Sequence, residues 1–243
     1  MLTRKSFSLL AAILLFVVAS MGALAAPAAP AEKDEKAVAV TATLNLAILV
    51  QDDLVSRVGS ELEVTREFIR SLPAGSRVMV GYVRSGSLEL RQAFTEDLDK
   101  AAGALRIPAG STAVSPYNPY VEVRDALRRF EGQGTNRNVM LLISDGLDIS
   151  HGFDVTAAAN TVDLLRAIKE AQRRNVTVYS FYAPTVGLTS RNSLAVNYGQ
   201  SSLNRLSNET GGRAFFQGTS FVTFDSYFAR LALALNDQYA RAY

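Results

Sequence analysis

A chain of 243 residues, 48% hydrophobic and 20% charged, has the length and apolar content for one α/β domain with extensions or for two small domains, and is not globally disordered. With no cysteine, no tryptophan and one histidine it excludes disulfides, thiolate nucleophiles, iron–sulfur clusters, cysteine-type zinc sites and a lipoprotein anchor. The excess of 25 basic over 23 acidic residues vanishes once Arg4 and Lys5 are set apart, so the remainder is neutral and nucleic acid is excluded as a partner.

The first segment reads as an address. Two positive charges at Arg4 and Lys5, an apolar run from Leu9 to Ala19 and the small-x-small site Ala23-Leu24-Ala25 make the three-part pattern of a signal peptide over residues 1–25. The run is shorter than the roughly 20 residues of a membrane span, so cleavage after Ala25 and no membrane insertion afterwards are expected. Export to the periplasm or beyond follows, the alternative being an anchor through an uncleaved signal. Residues 26–40, rich in Pro, Ala and charge, read as a flexible linker, and 41–243 as one domain.

Leu44 to Val50 is a nearly continuous apolar run, which suits a parallel strand covered on both faces. Val58, Leu62, Phe68, Ile69 and Leu72 then share a helical face, closed by Pro73-Ala74-Gly75. Arg77 to Val83 and Leu88 to Phe94 are strands joined by Arg84 to Ser87, a connection too short for a parallel crossover, so they form an antiparallel hairpin with the second at an edge. A short helix from Glu96 to Leu105, an irregular stretch from Pro108 to Pro119 and a helix from Tyr120 to Phe130 follow. Asn138 to Ile143 is the next buried strand. After it come a helix from Thr161 to Arg174, a strand from Val176 to Tyr182 and a helix from Ser201 to Glu209. The turn Thr210-Gly211-Gly212, a strand from Arg213 to Phe216 and a last helix with Phe224, Tyr227, Phe228, Leu231 and Leu235 on one face complete the chain. The order predicts a doubly wound, mostly parallel α/β sheet with one antiparallel edge strand.

Such sheets bind ligands at the carboxyl ends of their strands, where strand order reverses. In the order 3-2-1-4-5-6 that point lies between the strand ending in Gln51-Asp52-Asp53 and the one ending in Ser144-Asp145-Gly146-Leu147-Asp148. The hydroxyls of Ser111, Thr112 and Ser115 reach toward the same crevice, and carboxylate plus hydroxyl oxygens suit a hard cation such as Mg²⁺.

At these residues the chain resembles the von Willebrand factor type A family over residues 44–240, through the strand order with its hairpin, the segment NVMLLISDGLD, the late NETGGRAFF and the helix carrying Glu61. Ser115-Pro116-Tyr117 is similar to the secreted bacterial branch. The resemblance implies a Rossmann-like fold, a role in adhesion or assembly, and a metal-ion-dependent adhesion site made of an Asp-x-Ser-x-Ser turn, a loop threonine and an aspartate after strand four. Three registers are open for the turn: Gln51-x-Asp53-x-Val55, Asp52-x-Leu54-x-Ser56 and Asp53-x-Val55-x-Arg57. The second keeps the most ligands, so Asp52, Ser56, Ser115 and Asp145 are the expected metal residues of a degenerate site, holding Mg²⁺ or Mn²⁺ weakly and requiring no cofactor. Asp53, Thr112, Tyr117, Tyr120 and Asp148 are expected to face a protein partner.

Each feature has a plainer alternative. Asp52 and Asp145 can cap a helix or turn, Asp148 and Asp154 can be solvated loop acids, and the prolines around Tyr117 can shape a helix start. Two glycosylation sequons, at Asn175 and Asn208, are expected to be idle. Catalysis has little support: His151, the single histidine, sits in a loop, and there is no Gly-x-Ser-x-Gly elbow, no Ser-x-x-Lys pair and no phosphate-binding glycine loop. A binding module is therefore expected, with a metal-assisted hydrolase using the crevice carboxylates, or a structural scaffold, as alternatives.

Overall fold

The computed structural model describes residues 39–132, 136–150, 161–216 and 223–240, all within the unit Glu35–Tyr243. The signal peptide, nearly all of the linker, His151 and Asp154 lie outside the described residues.

The elements are β1 (Leu44–Gln51), α1 (Val58–Arg70), β2 (Arg77–Arg84), β3 (Ser87–Thr95), α2 (Leu98–Gly103), α3 (Pro119–Leu127), β4 (Arg137–Ser144), α4 (Val162–Arg173), β5 (Val176–Tyr182), α5 (Ser193–Glu209), β6 (Ala214–Phe215) and α6 (Phe224–Ala240). The sheet order is β3-β2-β1-β4-β5-β6, with every neighbouring pair parallel except β2 and β3. The hairpin thus forms as expected, with β3 at the edge. Strand order reverses between β1, which pairs both β2 and β4, and its neighbours, and this fixes where the crevice opens.

The period of two along each strand divides the core into two layers. Leu44, Leu46, Ile48 and Val50 of β1 face α1, α2 and α6, whereas Ala47 and Leu49 face α3, α4 and α5. Every residue of β1 is buried, as suits a central strand covered on both sides. In the first layer the face of α6 read from sequence is realised: Phe228 stacks on Phe68 at 4.5 Å between centroids and meets Phe181 edge-on at 4.9 Å.

Two boundaries differ from expectation. α5 begins at Ser193, eight residues before the expected start, because Asn192 caps it by accepting from the Leu194 and Ala195 amides. Its first turns bury Ala195 and Val196 but also carry Asn197, Gly199 and Gln200, which break the apolar period. α3 ends at Leu127 and tightens into a 3₁₀ turn over Arg128–Phe130, so the segment read as one helix has two parts.

Candidate functional site

At the carboxyl end of the sheet, β1 ends in Gln51 and β4 in Ser144, and these two side chains meet. Ser144 Oγ donates to Gln51 Oε1 at 2.5 Å, and the Asp145 amide donates to the same oxygen at 3.3 Å. Gln51 Nε2 donates in turn to Asp53 Oδ1 at 2.9 Å. The other oxygen of Asp53 accepts from Ser115 Oγ, which comes from the loop leading to α3.

Asp145 is held from the opposite side. Its Oδ1 accepts from the Leu147 amide at 3.1 Å, and its Oδ2 accepts from Thr185 Oγ1 at 3.1 Å and Thr189 Oγ1 at 3.0 Å. Both threonines lie in the loop between β5 and α5, which is laced to the first turn by Val55 N–H to Pro184 O and by Val186 N–H to Asp53 O. Gly146 has φ +70°, and α5 passes so close that a Cβ on Gly199 would stand 1.8 Å from the Asp145 carbonyl oxygen. The early start of α5 therefore sets the position of Asp145.

Burial raises both carboxyls. Asp145 is pushed up to about 6, first by loss of solvent and then by the charge of Asp53. Asp53 is raised by burial and by Asp52, against hydrogen bonds from Ser115 and Gln51 that favour its charged form.

Asp52 belongs to a different structure. It turns toward the layer of α1 and α2, where Arg106 grips both of its oxygens, Arg84 Nε lies 3.2 Å away and the Ala109 amide donates to it. Arg106 itself lies over the Tyr82 ring at 4.0 Å and pairs with Glu89. Leu54, the middle position of the register Asp52-x-Leu54-x-Ser56, is wholly buried and bridges to Thr185, and Ser56 is exposed in the turn before α1. Among the described residues no hydrogen bond joins Asp52 or Ser56 to Ser115 or Asp145. The register that reaches the crevice is Gln51-x-Asp53, because Gln51 and Asp53 share parity with Leu49 while Asp52 follows Val50.

The residues expected at a partner surface also divide. Tyr117 is 68% exposed, and Thr112 is exposed in a short 3₁₀ turn. Asp53 is buried within the crevice rather than on the surface. Tyr120 is wholly buried, its hydroxyl donating to the Gly146 carbonyl at 2.7 Å, so it supports the Asp145 loop from below and offers nothing to a partner. Asp148 is half-buried and closes a local turn by accepting from Ser150. Gln51 as an ordering group, Ser144, Thr185, Thr189 and Arg106 were not picked out by sequence reasoning. Strand parity carried a signal for Gln51 and Ser144, and none was available for residues that come from distant loops.

The family site needs three oxygens from the first turn, and this crevice does not fit that need. Gln51 stands in the leading position with an amide N–H directed at Asp53 and its oxygen already accepting from β4, and Val55 occupies the last position. All four carboxylate oxygens of Asp53 and Asp145 accept hydrogen bonds from protein donors, and the first turn brings a single carboxylate, Asp53, and no hydroxyl to the crevice.

Solved structures share this fold at low identity. BatB, a conserved hypothetical protein from Bacteroides thetaiotaomicron, superposes with a TM-score of 0.55 at 11% identity, covering 81% of this chain and 98% of that one. An aerotolerance-related membrane protein from Bacteroides fragilis gives 0.51 at 12%, covering 79% and 99%. The human COPII-coat protein Sec24c gives 0.52 at 10%, covering 81% of this chain and 32% of its own. The fold is that of von Willebrand type A domains. No family model and no curated protein matches the chain.

Proposed function

We propose that this chain, with its von Willebrand type A fold, is a non-enzymatic module that binds a protein partner at the carboxyl end of its sheet without help from a metal. The observation that carries the reading is the distribution of exposed apolar side chains. Of seven large hydrophobics exposed among the described residues, six lie at that end: Ile107 and Tyr117 in the loop before α3, Val121 and Val162 in the first turns of α3 and α4, and Leu188 and Leu194 around the start of α5. Apolar groups gathered around one crevice and rimmed by polar residues are the mark of an interaction surface. The crevice is the rigid floor of that surface, with hydrogen bonds in the place of an ion.

Export supports the same reading. The leader pattern of residues 1–25 predicts a product that starts at Ala26 outside the cytoplasm, and one structure with this fold, from Bacteroides fragilis, is described as a membrane protein. Among the described residues no helix is long and apolar enough to cross a membrane.

A photo-crosslinking amino acid placed in turn at Tyr117, Leu194 and Leu233 in the producing cell tests the reading. The first two positions are expected to give one common adduct that persists in EDTA, and Leu233, at the far end of the sheet, none. Equal adducts from all three, or loss in EDTA, overturns it.

A further inference from the structure

A pocket of about 350 Å³ opens at the other end of the molecule, between α6 and the amino ends of β5 and β6. The turn Gly211-Gly212 forms one wall. Gly212 packs against β5 so closely that a Cβ would stand 2.0 Å from the Val178 carbonyl oxygen. Leu233 and Ala234 of α6 form the apolar wall. Arg213 and Arg230 stand at the mouth with Asp237, and among the described residues neither arginine has an ion-pair partner.

The floor is Tyr179, wholly buried, with its ring stacked near Phe215 at 6.4 Å. Its hydroxyl lies beside the Arg137 guanidinium. Among the described residues neither that hydroxyl nor Arg137 Nη2 has a well-aligned hydrogen-bond partner, the two groups lying against each other. Arg137 lies behind the lining with its Nη1 on the Leu235 carbonyl, so the Tyr179 O–H is the buried donor that borders the pocket, and a buried donor without an acceptor is costly. Burial raises the Tyr179 hydroxyl above an ordinary phenol, against Arg137 and Arg213, so at neutral pH it carries its proton and donates.

We propose that this pocket binds a small organic oxyanion, a carboxylate or phosphate group on an apolar body. The Tyr179 hydroxyl, with Arg137 behind it, meets the acid head from below, Arg213 and Arg230 pair with it at the mouth, and Leu233 covers the apolar part. The volume is at the lower end of small-molecule sites, enough for a compact ligand. Two guanidinium groups in the lining, Arg213 and Arg230, against one carboxylate, Asp237, leave the pocket positive, and Arg is the side chain suited to a forked contact with either head group.

Titration of the ¹⁵N-labelled full chain with benzoate, phenyl phosphate and neutral benzamide at constant ionic strength tests the proposal. Benzoate or phenyl phosphate is expected to move the Gly211, Gly212 and Leu233 amides saturably, the tighter of the two naming the head group, while benzamide does not. The exposed pair Arg213→Gln with Arg230→Gln weakens binding about tenfold or more, as does Tyr179→Phe, which keeps the ring. Asp237→Asn tightens it. No saturable shift, equal binding of benzamide, or shifts that the double variant leaves unchanged overturns the proposal. A cross-linking failure at the opposite end bears on the partner surface alone, so the two readings fail separately.

Discussion

Arg106 holds Asp52 in a two-pronged ion pair, Nη1 to Oδ1 at 2.5 Å and Nη2 to Oδ2 at 3.0 Å, around a carboxylate with no exposed surface. This pair removes from the crevice the acid that spacing favoured as a metal ligand, and anchors the loop after α2 to the end of β1.

Removing the cation while leaving the buried acid is expected to be severe. Arg106→Gln should lower unfolding free energy by about 3 kcal/mol, since one partner of a buried pair is left without compensation. Urea unfolding checks this through a lower midpoint at unchanged slope. A loss below about 1 kcal/mol would show that Arg84 alone suffices for Asp52.

The hydrogen-bonded crevice predicts no calorimetric signal with Mg²⁺ or Mn²⁺ for the unmodified chain at micromolar affinity. Gln51→Asp should reverse this. It adds a third carboxylate beside Asp53 and Asp145, so the variant melts lower without cation and recovers when either ion is added. Cation-independent melting of the variant would show that the crevice cannot take a metal in any register.

The sheet, its order, the antiparallel edge and the two-layer core were legible in sequence because each rests on local pattern: continuous apolar runs, a turn too short for a crossover, and a helical face such as Phe224 to Leu235. Ser115 and Asp145 were legible because a doubly wound sheet sends both to one place. The first turn was less so. Three consecutive polar residues, Gln51-Asp52-Asp53, look alike in sequence, and only the neighbours decide their roles. Arg106 is 54 residues from Asp52, and Thr185 and Thr189 are 40 and 44 from Asp145, in loops with no regular pattern. Tyr120 was misplaced because a tyrosine beside prolines reads equally as a surface group or as a buried one with a polar tip.

Glu122 gives a pH signature. It is buried in α3, its Oε2 has no partner, and its pKa is raised from 4.5 to about 7, chiefly by burial and then by Asp125 and Asp163. A carboxyl raised on folding contributes most below its unfolded value. The unfolded chain releases this proton first, so stability should fall as pH rises from 4.5 toward 7 and level off above. Glu122→Gln should make that slope shallower, leaving the part that Asp145 and Asp53 contribute in the same direction, and raise the melting temperature at pH 8. An unchanged slope would assign the pH dependence to other groups.

Gly199→Ala should destabilise the domain by about 3 kcal/mol, because the added carbon overlaps the Asp145 carbonyl and α5 must move away from the Gly146 loop. Gly103→Ala, in a helix with open space around the added carbon, serves as the control and should be neutral or slightly stabilising. Similar melting curves for the two variants would show that α5 yields without cost.

The two edges of the sheet have a bearing on how anything can attach to it. β3 carries Glu89 and Arg91 and breaks its register with β2 at two places, and β6 offers only two paired residues. The charges and the two breaks on β3 and the brevity of β6 discourage edge-to-edge aggregation. Recognition by added strands, one common way of capturing an extended peptide, is disfavoured for the same reason. A protein bound at the loops would read side chains, and its specificity is free to change through those loops while the sheet beneath stays the same.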